Sequence, residues 1–216
     1  MKSKAMEIKD ALIDKLGEAE QNIDSLISSS LSEISHWKYA SDEYYTHLPY
    51  YHEINKFKKG RILEGVTEGN KFSKRMIHSF GFNASDQLII MQHPQVDDNI
   101  ELGAGIHVHS INPNKSVQTS VARWYPKKNF PTKLLAINTF IPFGNDSWLY
   151  VGVNSNKKDW SMLDYIYGAA ERVERVVVYS SATENPLEYI FIYENENNLD
   201  RIMIGDAVWW KSKTRK

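Results

Sequence analysis

Two histidines spaced two residues apart, His107 and His109 in the stretch GAGIHVHSI, are the residues whose type and spacing most directly suggest chemistry. Alternate side chains of an extended chain share a face, so both imidazoles would project together, as ligands of a divalent transition metal must. Such a site needs a third ligand. His93, with Asp97 and Asp98 close behind it, would supply one if its strand paired alongside in register. The same spacing has a structural reading, in which Ile106 and Val108 take the buried face of a strand and the histidines fill its half-polar face. We adopt the structural reading and assign neither metal nor cofactor.

The histidine pair resembles part of the cupin metal motif. That resemblance implies an alternative, a metal-dependent enzyme working through His107, His109 and His93. The glutamate that the motif places four or five residues later is replaced by Pro113 and Asn114, and the second cupin motif is absent. Other catalytic patterns are missing: the chain has no Gly-x-Ser-x-Gly elbow, no phosphate-cradling glycine loop and no His-Glu-x-x-His helix. The carboxylate pairs Asp97 with Asp98, and Glu194 with Glu196, read as solvated turn ends.

Two aromatic and basic stretches are candidates for contact with a partner. In RWYPKKNFPTK, Trp124, Tyr125, Lys127 and Lys128 stand in a proline-bearing loop between strands. In VWWKSKTRK, Trp209 and Trp210 end the last strand ahead of a basic tail. Tryptophan beside lysine and arginine suits single-stranded nucleic acid. With 26 basic against 27 acidic residues, however, no global field draws a polyanion, so a protein partner is the expected one. Six tryptophans and twelve tyrosines exceed the needs of an ordinary core this size and are residue types that interfaces favour; a carbohydrate-binding module is a further alternative.

The elements that must position these residues follow from hydrophobic period. From about Lys4 to Ile34, Ile8, Leu12, Leu16, Ala19, Ile23, Leu26, Ile27, Leu31 and Ile34 recur every three or four residues and make one helical stripe. Gly17 could kink or end a first segment, and the serines at 28–30 could fray it. The aromatic-polar stretch HWKYASDEYYTHLPYY reads as a packed linker. After Tyr50 the period becomes two, with turn chemistry at KKG, TEGN, NASD, NPNK, FGNDS and ENENN, which describes hairpins in sequence and hence an antiparallel meander. Residues 159–173 carry helix-like spacing as a minority option. The expected fold class is α+β: a helical segment and linker over 1–45, then one large antiparallel, hairpin-built sheet over 46–216, folding as one cooperative unit with its second face left open.

A spacing repeats within that sheet. Tyr165, Tyr167, Val173, Arg175, Val176 and Val178 align with Phe191, Tyr193, Leu199, Arg201, Ile202 and Ile204, twenty-six residues on. Phe80, Phe82, Leu88 and Ile90 fall on the same pattern. The unit places two rings on one face of a strand, five residues in a turn and an aliphatic residue at the start of the return strand. It resembles the YD repeat of Rhs-type proteins: YGAAERV keeps Tyr167, Arg172 and Val173, YENENNL keeps Tyr193 and Leu199, and KKGRIL keeps Gly60, Arg61 and Ile62. Glycine, glutamate or asparagine replaces the aspartate, and none of the aligned units keeps the glycine. A bacterial chain of this size and build is similar in style to immunity proteins of polymorphic toxin systems. That resemblance implies a non-catalytic protein that neutralises a cognate toxin domain by occluding it.

The chain has no cysteine, the N-terminal stretch is broken by charges every few residues, and no apolar run approaches membrane-spanning length. The expected compartment is cytoplasmic, with no membrane partner.

Overall fold

The computed structural model describes residues 2–67, 77–97, 100–125, 130–168, 171–195 and 198–212. A helix, α1 (Lys2–Ser32), opens the chain and a five-residue helix, α2 (Tyr51–Asn55), interrupts the linker. The strands are β1 (His36–Ala40), β2 (His78–Phe82), β3 (Leu88–Asp97), β4 (Ile100–Ile111), β5 (Val117–Trp124) and β6 (Lys133–Pro142). They continue with β7 (Ser147–Asn154), β8 (Trp160–Tyr167), β9 (Val173–Ser180), β10 (Leu187–Asn195), β11 (Asn198–Ile204) and β12 (Ala207–Lys211). All twelve form one open antiparallel sheet in sequence order, the α+β meander that the period-two pattern implies.

Several expectations are corrected. Residues 160–167 and 173–180 are strands, because alternation between Met162, Asp164 and Ile166 on one face and Leu163, Tyr165 and Tyr167 on the other outweighs their helix-like spacing. The helix runs unbroken through Gly17, which points to solvent with nothing within 4 Å of an added Cβ, and through the serines at 28–30. The sheet begins at His36, inside the stretch read as helix and linker, since β1 pairs with β2. Of the expected turn segments, residues 68–70 and 196–197 lie outside the described residues.

The repeated spacing has a structural counterpart. In three hairpins the register skips one residue at the same place: Gly81↔Ile90 is followed by Phe82↔Leu88, Ile166↔Arg175 by Tyr167↔Val173, and Ile192↔Arg201 by Tyr193↔Leu199. The turns after Phe82 and Tyr167 also share their bonding. Asn83 N–H donates to Gln87 and Gly168 N–H to Arg172, while Asp86 and Glu171 sit at φ 56° and 51°. Each turn is closed by a left-handed residue, whose added twist suits the strands it joins. The turn between β4 and β5 repeats it, with Lys115 at φ 65°. Arg172, at the end of one such turn, lies over the ring of Tyr193 in the next unit, 4.6 Å from its centroid.

α1 lies on one face, over β3–β7. Leu12, Leu16, Ile23 and Ile27 recur at alternating intervals of four and seven and bury against Ile90, Ile106, Val108, Leu134, Ile137, Leu149 and Val151. Two neighbouring helix positions therefore have opposite sensitivities. Leu16→Ala opens a cavity between helix and sheet and should cost about 2–5 kcal/mol. Gly17→Ala, on the solvent side, should stabilise by about 0.5–1 kcal/mol. Urea unfolding of the two variants beside the wild type checks both signs; a stabilising Leu16→Ala would refute this packing.

Candidate functional site

The second face of the sheet is not open, as expected, but roofed. After β1 the chain leaves the sheet at Ser41, crosses that face, and returns at Arg61 to run beside β1. Ser41 N–H donates to Arg61 O at 2.9 Å, Gly60 N–H to Glu43 O at 2.9 Å and Leu63 N–H to Tyr39 O at 2.9 Å. The loop between these clamps is a strap, and its composition explains its course. Tyr45 meets Phe80 and Phe82 edge-on at 5.1 and 5.2 Å, forming a satellite core with Leu88 and Met91. Leu48, Tyr50 and Ile54 join Phe140, Tyr165, Val176, Phe191 and Ile202 further along.

Two interactions hold the far end of the strap. The Trp209 indole N–H donates to Ile54 O at 2.7 Å, with the Lys56 ammonium 3.6 Å from that ring. Tyr193 donates its one hydroxyl proton to Val173 O at 2.6 Å and so accepts from Tyr50, 3.0 Å away.

Beneath the strap lies a row of histidines. His107 and His109 share a face of β4, as their spacing implies, and His93 of β3 brings its ring to 4.7 Å from that of His107. The structure adds two that local spacing cannot reveal: His78 of β2, 4.8 Å from His93, and His47 of the strap, 4.4 Å from His109. The Nδ1 atoms of His78 and His93 are 3.0 Å apart, so one donates and the other accepts. His109 Nδ1 bonds Thr119 Oγ1 at 2.9 Å and His47 Nε2 donates to Leu88 O at 3.2 Å. The Nε2 atoms of His93 and His109 are buried without a partner.

Burial, reinforced by neighbouring imidazoles, pushes the His93 pKa down to about 3, that of His107 to about 4 and that of His109 well below the usual value. Burial also lowers His47 and His78; Asp42, 3.7 Å from His78, opposes the shift there. The row is therefore neutral at pH 7. Among the described residues no three histidine, aspartate or glutamate side chains converge on a point that an ion could occupy. Asp97 closes β3, and Asp98 lies outside the described residues.

The aromatic contact candidates are divided in the same way. Trp124 ends β5 on the helix side and is half-buried against the α1 core. Tyr125 meets the exposed Phe130 edge-on at 5.5 Å. Lys127 and Lys128 lie outside the described residues. Trp209 and Trp210 belong to β12 and pack half-buried on the second core, where Trp209 pins the strap.

Among the described residues, what remains uncovered is the helix-side face beyond the reach of α1. The register lines up Ile166, Arg175, Ile190, Met203 and Val208 across β8–β12. Ile190 is 39% and Val208 54% exposed. Arg175, within the row, bridges to Glu188 at 3.0 Å, and Arg201 bridges to Asp200 at 3.3 Å beside it. Sequence reasoning passed over this row because each apolar residue in it alternates normally along its own strand.

Among the described residues no helix is long and apolar enough to cross a membrane. No protein family, curated protein or solved structure matches the chain.

The histidine row carries a pH prediction with a definite sign. An unfolded histidine titrates near 6.5, so below that pH the unfolded chain binds protons that the folded row refuses. Stability should be full above about pH 6.5 and fall by about 1.4 kcal/mol per pH unit per buried histidine towards pH 4. Urea unfolding at pH 6.5 and 5.0 reads the slope. In a His93→Gln, His107→Gln variant it should flatten by roughly two such increments, and an unchanged slope would contradict the assignment.

Proposed function

We propose that the chain is a non-catalytic protein-binding protein that works by covering its partner, in the manner of an immunity protein occluding a toxin domain. The observation that carries this reading is the uncovered row Ile166, Ile190, Met203 and Val208 on a sheet face whose other half is buried under α1. Scattered exposed apolar residues are ordinary; an aligned, mostly apolar row on a sheet, with Arg175 and its Glu188 partner set among it, has the mixed composition of an interface. Strands β9–β12 span about 20 Å at about 4.8 Å per strand and offer roughly half of the ~800 Å² that a standard interface buries per partner. The margin of β12 and the neighbouring turns would supply the rest.

The hairpins of this region are the units that resemble YD repeats, and as a rigid scaffold they suit a role in which shape and charge complementarity do the work. The alternative of a cupin-like enzyme draws less support, because among the described residues His93, His107 and His109 do not converge with a further ligand on a point that an ion could occupy.

The test is whether the adjacent upstream gene ends in a variable toxin-like domain and, with that domain purified, titration calorimetry against it; an adjacent metabolic operon would count against the reading. Tight one-to-one binding is expected. Ile190→Asp, a solvent-facing change, should leave unfolding within about 1 kcal/mol of wild type while weakening binding about 30-fold or more. Undiminished binding by that variant would overturn the assigned face, and absence of binding would overturn the reading. A stoichiometric transition metal in the purified protein, lost on His107→Ala with His109→Ala, would instead favour the enzyme.

A further inference from the structure

The strap side of the sheet carries a second cross-strand row, of a different kind. His109, Thr119, Asn138, Gly152, Ser161 and Ser180 are successive register partners from β4 to β9. The adjacent row on the same face is Val117, Phe140, Tyr150, Leu163, Val178 and Leu187, apolar but for the tyrosine hydroxyl. A polar line six strands wide beside an apolar one is not what a face buried against a roof requires, and only its His109 end lies beneath the strap.

The other end opens into a cleft of about 290 Å³ whose lining includes Asn138, Tyr150, Gly152, Ser161 and Ser180. Turn residues Asp159 and Ser181 close it on one side. Gly152 makes the space. A Cβ there would lie 2.7 Å from Tyr150 Oη and 2.9 Å from Asn138 Oδ1, so both polar atoms lean over a floor that has no side chain. Such an interior strand glycine sacrifices strand stability and commonly marks a close approach.

The polar atoms around that floor are unspent. Ser180 is engaged with Thr183 at 3.1 Å, whereas the Asn138 carboxamide, the Tyr150 hydroxyl and the Ser161 hydroxyl have no hydrogen-bond partner among the described residues. Burial pushes the Tyr150 phenol up to about 12, which keeps it a neutral donor and acceptor. Asp159, the charged residue at the margin, already accepts from the Asn156 amide at 2.6 Å.

We propose that this cleft binds one neutral pyranose ring, a single sugar residue or the terminal residue of a glycan. Each free group on the floor both donates and accepts, which is what an array of ring hydroxyls demands; a phosphate or carboxylate would find no cation there and would meet Asp159. The volume sits at the lower limit of small-molecule sites, enough for one ring and too small for an extended oligomer. The cleft faces away from the row assigned to protein binding, so neither proposal depends on the other.

The test uses the full-length protein and saturation-transfer NMR with methyl glycosides of glucose, galactose, mannose and N-acetylglucosamine, with glycerol as control. At least one glycoside should show saturable binding in the millimolar range, weakened tenfold or more by Asn138→Ala with Ser161→Ala. Thermal unfolding confirms that this variant folds, and Ile190→Asp, on the opposite face, should bind the sugar as wild type does. Gly152→Ala, which fills the floor, should abolish the signal in protein that remains folded. No saturable glycoside, a glycerol response equal to the sugar's, or undiminished binding by the double variant would each overturn the proposal.

Discussion

The constraint on which the structure depends is that a single open sheet has two faces and two edges to manage, and a chain with one long helix can cover only part of one face. α1 buries the helix-side surface of β3–β7 and stops. The strap takes the other face, first over Phe80 and Phe82, then over Phe140, Tyr165 and Phe191. Returning along β1, it also pairs with that edge through Leu63 and the bridge from Ala40 to Ile62. The opposite edge, β12, is blunted by its five-residue length, by the extra residue Trp209 between Val208 and Trp210, and by Lys211. What these devices leave bare among the described residues includes the row of Ile190, Met203 and Val208, beyond the end of α1.

The sheet itself is assembled from local decisions. From β2 onward each strand pairs with the next, so no crossover arises, and the recurrent left-handed residue that closes the turns gives several hairpins one twist. Repetition of the skipped residue in the three aromatic hairpins keeps Phe82, Tyr167 and Tyr193 on the strap side despite the change of register. Tyr193 then bonds Tyr50 and receives Arg172 over its ring. The repeated spacing thus places aromatic rings where the roof needs partners.

This division between local and long-range determinants explains what the sequence disclosed. The helix, the hairpin order and the shared facing of His107 and His109 rest on residues within a few positions of each other, and periodicity reads them. The covering of the second face does not. It rests on Trp209 reaching Ile54 across 155 residues, Tyr193 reaching Tyr50 across 143 and His47 reaching Leu88 across 41. Nothing in HWKYASDEYYTHLPYY distinguishes a packed linker from a roof until the sheet beneath it exists. The histidine row was half legible for the same reason: β4 contributes an alternating pair, while His78 and His47 arrive through register and through the strap. Gly17 misled because propensity registers an absent side chain but not which side of the helix it faces.

The two faces of the sheet also divide the titratable groups. A general acid and base must share an accessible cleft with pKa values near the working pH. Here burial drives the histidines down and the Tyr165 and Tyr193 phenols up, away from neutrality. Two carboxyls, Glu43 and Asp164, are raised by burial towards the acid-catalyst range, yet they stand on opposite sides of the sheet. Glu43 is in the strap beside Tyr51, and Asp164 lies under the first turns of α1 near Ala5 and Met6. A sheet one strand thick keeps such groups apart as effectively as distance does. The surfaces that remain reachable carry neutral hydrogen-bonding groups on one side and a row that is apolar but for Arg175 on the other, so the two faces of one sheet present different chemistry.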